Sequence, residues 1–159
     1  MKRIYAPWRS IYLQSEHDGE CLFCSIAQTD TDDEKKRVLY RGKYHYVIIN
    51  AYPYSNGHVM VVCNRHIEHF GDLDAEESAE LTRLISRCEK ALLGTYNPGG
   101  INVGANLGRS AGAGIAGHLH VHLVPRWHGD TNFMTAIGET RVISEDLLDT
   151  YTRLKAYFE

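Results

Sequence analysis

The chain has few cysteines, no long apolar run and no excess of basic residues, and each shortage argues against a class of protein. No stretch approaches the roughly 20 apolar residues of a membrane-spanning helix, and the N-terminus lacks a signal-peptide core. Four cysteines without a secretory signal predict a reducing compartment, the cytoplasm, rather than a disulfide scaffold. The formal net charge of −3 argues against nonspecific nucleic-acid binding.

The composition that remains is that of an ordinary globular protein. Hydrophobic residues make up 43% of the chain and charged residues 23%, which is usual for soluble domains. A chain of 159 residues is long enough to bury one core. We therefore expect a single domain over residues 1–159, with no internal repeat and no low-complexity linker.

The hydrophobic patterns predict an α+β protein with about five strands, one long helix and a C-terminal helix. The predicted strands are Val38–Tyr40, Tyr46–Asn50, Val59–Cys63, Ile101–Ala105 and His118–Pro125. Asp74 should cap the long helix with Glu77 as its capping-box partner, and Gly94 should end it. The final helix should run from Ser144 to about Phe158. Because strands and helices do not alternate as βαβ units, the sheet should be antiparallel.

Three alternating histidines form the most informative segment of the chain. In a strand, His118, His120 and His122 share one face at intervals of roughly 6.6 Å, with apolar residues on the other face. Three rings whose nitrogens all need partners are a poor choice if burial is the only purpose. Neutral imidazole is a competent nucleophile at physiological pH. The pattern favours catalysis over a solvated strand face or a surface metal chelate.

Several blocks of this sequence, in the same order, resemble the histidine-triad (HIT) superfamily of nucleotidyl hydrolases and transferases. His118–Val124 matches the family signature, while Asn50–Met60 and Asn64–Ile67 resemble its N-x-x-P-x-x-x-G-H and R-H-I segments. Pro125–Met134 and Ala6–Arg9 resemble the bacterial branch that includes diadenosine tetraphosphate phosphorylases. The resemblance covers nearly all of the chain. It implies the HIT fold and a homodimer formed around the long helix and the sheet edge.

The resemblance also implies roles for individual polar residues. His120 corresponds to the nucleophile, which attacks the α-phosphorus of a nucleotide and forms a nucleotidyl-histidine intermediate. His118 and His122 would orient the phosphate and manage protons. His58 resembles an additional active-site histidine and Asn50 a ribose-contacting residue, although each would by itself be read as part of a turn.

The segment Asn102–Gly117 contains five glycines, and successive backbone N–H groups of such a segment can form a nest for phosphate. A flexible connection between two strands is the alternative. The candidate nucleotide- and phosphate-binding residues here and after the triad are Asn106, Arg109, Gly112, Ala113, Gly114, Arg126 and Trp127. Gly114 departs from the HIT hydrolases of the dinucleoside-triphosphate type, which carry a glutamine four residues before the first histidine. The departure favours inorganic phosphate over water as the second nucleophile.

Cys21 and Cys24 have the C-x-x-C spacing with which two thiolates chelate one ion. A redox pair and two buried thiols are the alternatives, and a thioredoxin-like pair would need a strand before the motif and a helix beginning at it. The resemblance to HIT proteins implies a structural zinc with His66 and His118 as further ligands, and His69 could replace His66. Through His118 the metal would anchor the strand that carries the nucleophile.

The sequence thus predicts a nucleotidyl-transfer enzyme, with phosphorolysis of diadenosine tetraphosphate to ADP and ATP as the favoured reaction. A dinucleoside polyphosphate hydrolase or a purine-nucleoside phosphoramidase of the HIT family is the alternative within the same chemistry. The intact triad argues against a nucleotide-binding regulatory protein with weak catalysis. A metalloenzyme using His118 and His120 as ligands would need a further ligand. A hexose-phosphate uridylyltransferase is disfavoured by His122, which stands where those enzymes carry glutamine.

Overall fold

The computed structural model describes residues 21–138 and 142–159, so the N-terminal block Ala6–Arg9 lies outside the described residues. The helices and strands are α1 (Leu22–Gln28), α2 (Asp33–Lys36), β1 (Val38–Arg41), β2 (His45–Ile49), β3 (Val59–Cys63), α3 (Ala75–Tyr96), β4 (Gly100–Gly104), β5 (His120–Arg126), α4 (Phe133–Ala136) and α5 (Leu147–Lys155). Within these two described ranges, none of the helices combines the length and the apolarity that a membrane span requires.

The five strands form one antiparallel sheet in the order β1-β2-β3-β5-β4, which confirms the predicted α+β fold. Because side chains alternate along a strand, each central strand contributes to both faces of the sheet. On one face, Val47, Val61 and Val121 of the sheet form a core cluster with Leu84 of α3 and Leu154 of α5. A smaller cluster on the other face surrounds Phe23 of α1 and includes Tyr46, Ile48 and Met60. The histidine rings lie on this second face, where Phe23 contacts His120.

The long helix α3 begins as predicted and ends later than predicted. The Asp74 side chain accepts a hydrogen bond from the backbone of Glu77, and the Glu77 side chain accepts one in return, so the capping box is confirmed. Gly94 does not end the helix, which continues until Asn97 adopts a left-handed conformation with φ of 43°. The glycine instead allows a close approach, because a Cβ at this position would overlap the Tyr157 hydroxyl.

The strand that carries the triad begins later than predicted, at His120 rather than His118. The residue before it bonds partly to a loop: Leu119 N–H donates to Ile67 O at 2.6 Å, while the Leu119 carbonyl accepts from Cys63 N at the end of β3 at 3.3 Å. Val59–Cys63 is confirmed as a strand, and the other three strands differ from the predicted bounds by a residue at one or both ends.

The helices outside α3 also differ from the expectations. The C-terminal helix α5 is shorter than predicted and begins after Asp146, whose side chain accepts from Leu148 N–H. The short helices α1, α2 and α4 were not predicted, because elements of four to seven residues are too short to establish a hydrophobic period.

Candidate active site and metal-binding cluster

A cleft of about 380 Å³ opens on the face of the sheet that carries the histidines. Its apolar lining residues are Leu22, Phe23, Ile26, Ile48, Ile49, Met60 and Ile115. Its polar side includes Asn50, His120 and His122. An apolar cleft with a few convergent polar groups is the usual form of a small-molecule site, and here the polar groups include two of the three triad imidazoles.

The hydrogen bonding of His120 leaves one ring nitrogen available for reaction. Its Nδ1 lies 2.7 Å from the backbone carbonyl of His118, a group that can only accept, so Nδ1 carries the proton. The lone pair is therefore on Nε2. Burial lowers the pKa of His120, although its hydrogen bond to His118 opposes that shift. The ring is consequently neutral and nucleophilic at physiological pH.

A chain of hydrogen bonds fixes the tautomer of His122. The backbone N–H of Tyr54 donates to His58 Nδ1 at 3.1 Å, so the His58 proton resides on Nε2. This Nε2 donates to His122 Nδ1 at 2.9 Å, and the proton of neutral His122 is therefore on Nε2. Burial, reinforced by the neighbouring imidazoles, lowers the pKa of His58 to about 3 and that of His122 to about 4. His122 thus presents a neutral N–H donor on a ring that lines the cleft.

The glycine-rich segment reaches the cleft through Gly112 and Gly114, which both line it. Gly112 has a φ of +90°, a conformation that favours glycine. Asn106 and Ala113 are half-buried and do not line the cleft, and Arg109 is exposed in a 3₁₀ turn of the same segment.

The two residues predicted after the triad lie away from the cleft. The Arg126 guanidinium donates to Asp130 at 2.5 and 2.9 Å and to Asn102 at 2.8 Å. Trp127 lines a second pocket. Among residues 21–138 and 142–159, the cations that line the cleft are instead Lys36 and Arg37. Lys36 is the last residue of the short helix α2, and Arg37 follows it directly.

The structure brings Cys21, Cys24, His66 and His118 together, with one ligand atom of each within 4.8 Å of all the others. Cys21 Sγ lies 3.3 Å from His118 Nδ1, while Cys24 Sγ lies 3.2 Å from His66 Nδ1 and 3.5 Å from His118 Nδ1. Zn–S and Zn–N bonds of about 2.3 and 2.0 Å at a tetrahedral angle separate S and N by about 3.5 Å. The four side chains therefore fit one tetrahedral ion. His69 is outside this group.

The orientation of His118 is also that of a metal ligand. Its Nε2 donates to the carbonyl of Cys63 at 2.6 Å, which leaves the Nδ1 lone pair directed towards the two sulfurs. A helix does begin at the C-x-x-C motif, as a redox pair would require, but the two histidines that converge on its sulfurs favour metal binding.

Two contacts important to this geometry were not predicted. The backbone N–H of Tyr54 sets the tautomer of His58, and the Cys63 carbonyl orients His118. Both are backbone groups, so residue type gives no direct signal for them. The Tyr54 ring also lies beside the histidines, with its centroid 4.6 Å from that of the His58 ring and 5.8 Å from that of the His122 ring.

By sequence, this chain is similar to the HIT family and to two enzymes named for diadenosine polyphosphates. A family model described as "HIT domain" matches residues 31–129, which include the triad but not the two cysteines. An "AP-4-A phosphorylase" of Mycobacterium tuberculosis is 42% identical over 159 residues, covering 94% of this chain and 80% of the relative. A "Bis(5'-adenosyl)-triphosphatase" of Saccharomyces cerevisiae is 31% identical over 93 residues, which are 58% of this chain and 45% of the relative.

Two solved structures share the fold over most of their length. A zinc-bound histidine triad family protein from Mycobacterium smegmatis has a TM-score of 0.69 and 25% identity, covering 87% of this chain and 92% of the other. A hypothetical histidine triad nucleotide-binding protein from Sulfolobus tokodaii has a TM-score of 0.68 and 27% identity, covering 86% and 91%. The similarity therefore extends beyond the triad to the arrangement of the sheet and helices.

Proposed function

The chain belongs to the HIT family, and we propose that it phosphorolyses diadenosine tetraphosphate to ADP and ATP through a covalent nucleotidyl-His120 intermediate. The observation that carries this proposal is the His120 hydrogen bond to the His118 carbonyl, which leaves Nε2 as a neutral nucleophile beside an apolar cleft. The 42% identity to an AP-4-A phosphorylase supports the choice of substrate.

In the first step, His120 Nε2 attacks the α-phosphorus of the substrate. The N–P bond forms while the P–O bond to the leaving ATP breaks. The His118 carbonyl stabilises the positive charge that develops on the imidazole, because it already accepts the Nδ1 proton. His122 donates its Nε2–H to an oxygen of the reacting phosphate, and His58 holds it in that tautomer.

In the second step, an oxygen of inorganic phosphate attacks the same phosphorus, the N–P bond breaks and ADP leaves. Gly114 supports this choice of nucleophile, because it brings backbone to the cleft with no side chain to occupy the space beside the phosphorus. Lys36 and Arg37 line the cleft and attract the polyanionic substrate. Arg126 has no role in this scheme, since Asp130 and Asn102 hold its guanidinium.

The cluster of Cys21, Cys24, His66 and His118 would hold one structural zinc. The distances between sulfur and nitrogen fit a tetrahedral ion, and a zinc-bound family member has the same fold. When bound, the metal supplies rigidity rather than a reaction step. Through the His118 ring it keeps in place the backbone carbonyl to which His120 donates.

A homodimer formed at the sheet edge and long helix completes the proposal. Strand β4 is at one edge of the sheet, most of its residues are exposed, and its Val103 side chain is 50% exposed. In the part of the chain that the structure describes, β4 pairs with β5 alone, and an edge strand with an exposed apolar side chain is a ready surface for pairing with a second copy.

Product analysis tests the reaction. Purified protein is incubated with diadenosine tetraphosphate, with and without ¹⁸O-labelled inorganic phosphate, and the nucleotides are separated. We expect turnover to rise steeply with phosphate, ADP and ATP to appear in equal amounts, and the label to be found in ADP only. A rate independent of phosphate, with AMP and ATP accumulating, would identify the protein as a hydrolase instead.

A further inference from the structure

A second pocket of about 340 Å³ lies beside the catalytic cleft. It is formed by three separate segments of the chain: the loop before β3, the residues that follow β5 through α4, and the residues that precede α5. Its aromatic walls are Tyr54 and Trp127, its thioether is Met134, and its polar groups include Asn56 and Ser144. The proposed transfer step does not use this pocket.

The lining of the pocket suits a flat aromatic ligand. The Trp127 indole is packed edge-on against Tyr96, with ring centroids 6.4 Å apart and an interplanar angle of 83°, so its orientation is fixed by its neighbour. Two aromatic side chains and a polarisable sulfur favour a stacked base, because an aromatic side chain can stack on the π-face of a nucleobase.

The polar groups of the pocket are already arranged and carry no uncompensated charge. The Asn56 Nδ2 donates to Ser144 Oγ at 2.8 Å, and Ser144 N–H donates to Asn56 Oδ1 at 3.2 Å. Asp130, the carboxylate of the pocket, pairs with Arg126 through two hydrogen bonds. An uncompensated carboxylate would repel a nucleotide, whereas this pair does not.

The position of the pocket relates it to the reacting histidines. Tyr54 lines both the cleft and the second pocket, and its ring lies 5.8 Å from that of His122. Trp127 follows β5 directly and is at most roughly 16 Å along the chain from His122. A substrate with a nucleoside in each pocket would therefore carry its polyphosphate past His122.

We propose that the pocket between Tyr54 and Trp127 binds the nucleobase of the leaving nucleotide, so that the enzyme recognises both halves of a dinucleoside polyphosphate. This inference rests on the proposed nucleotidyl transfer and adds to it a second subsite with a defined ligand. A substrate that lacks the second nucleoside forgoes the contact with Trp127.

Substitution of Trp127 tests the subsite by comparing two substrates that transfer the same nucleotide. Diadenosine tetraphosphate has a nucleotide leaving group, and adenosine 5′-phosphosulfate has only sulfate. For Trp127→Ala, the ratio of kcat/KM for the first substrate to kcat/KM for the second should fall at least tenfold. Trp127→Phe, which keeps an aromatic face, should show a smaller fall. The control Phe133→Ala removes a 71% exposed ring that lines neither pocket and should keep the wild-type ratio.

Fluorescence separates a failure of the subsite from a failure of the proposed reaction. The chain has two tryptophans, and stacking of ATP, the leaving nucleotide of the proposed reaction, on Trp127 should quench part of the emission in the wild type but not in Trp127→Phe. Wild-type protein that transfers no nucleotide yet shows this quenching would retain the subsite and lose the reaction. An unchanged substrate ratio in Trp127→Ala, or equal quenching in wild type and Trp127→Phe, would overturn the subsite.

Discussion

The two outer histidines of the triad have identical side chains and opposite surroundings. His118 donates from Nε2 to the Cys63 carbonyl and turns Nδ1 towards two cysteines. His122 accepts at Nδ1 from His58 and keeps its proton on Nε2 beside the cleft. In each ring, one hydrogen bond decides which nitrogen remains for function. The repeat in the sequence therefore does not imply a repeat in role: one end of the triad fits a metal and the other fits substrate.

The largest effect should follow from removing the residue between these two ends. His120→Gly removes the proposed nucleophile, and we expect kcat to fall by at least about 10³-fold while nucleotide binding is retained. Mass spectrometry of the wild type during turnover should detect a nucleotidyl adduct that the variant lacks. Substantial activity in the variant would contradict a covalent mechanism.

A change at the metal end should disturb the reaction indirectly. Cys24→Ser weakens a sulfur ligand, and we expect loss of zinc, a lower melting temperature and a fall in turnover of about 10²-fold, as for other losses of support to a metal centre. The control Cys88→Ala removes a buried thiol on α3, outside the cluster, and should keep its zinc. Elemental analysis and thermal melts measure both variants. Unchanged metal content in Cys24→Ser would assign the cysteines another purpose.

A change at the substrate end should affect catalysis without affecting the metal. His58→Ala removes the donor to His122 Nδ1, so His122 can adopt either tautomer and rotate. We expect kcat to fall about tenfold, the lower end of the effect of losing a partner that orients a functional histidine. Zinc content, measured on the same sample, should equal that of the wild type. A fall in zinc content would mean that the two ends are not separate.

The sheet and the shared face of the triad histidines could be predicted from the sequence because each has a local signal. The alternation of His118, His120 and His122 with apolar residues places the histidines on one face, and the apolar run Val59–Cys63 indicates a strand that is buried on both faces. The capping box from Asp74 to Glu77 is likewise local. Such local patterns predict the structure correctly where the tertiary contacts favour the same conformation.

What the sequence could not predict depends on contacts between distant segments. The strand starts at His120 because residues before it pair with the loop at Ile67. Arg126 is withdrawn from the cleft by Asp130 and Asn102, and the second pocket exists because segments around residues 54, 127 and 142 meet. No spacing rule connects such positions, so the sequence could not show that Trp127, predicted to bind nucleotide or phosphate, lines a different pocket from His120 and His122.

The smallest effect should follow from a change in the ion pair between Arg65 and Glu77, which lies outside the cluster of cysteines and histidines. Arg65, which precedes His66, forms two hydrogen bonds of 2.7 and 2.8 Å with Glu77, whose side chain is 3% exposed. The pairing with Arg65 lowers the pKa of Glu77 from 4.5 to about 2.

A carboxyl whose pKa is lowered by folding stabilises the protein fully above its unfolded pKa and loses this contribution as the pH falls through its folded pKa. Glu77→Gln should therefore lower the melting temperature by roughly 2–4 °C at pH 7, and the difference from wild type should shrink between pH 4.5 and about pH 2. The control Glu89→Gln, an exposed position on the same helix, should melt like the wild type throughout. Because Glu77 pairs with Arg65 and makes no hydrogen bond to His58 or His122, kcat should change less than in His58→Ala. A difference that persists unchanged at pH 2 would mean that Glu77 acts through packing rather than through its charge.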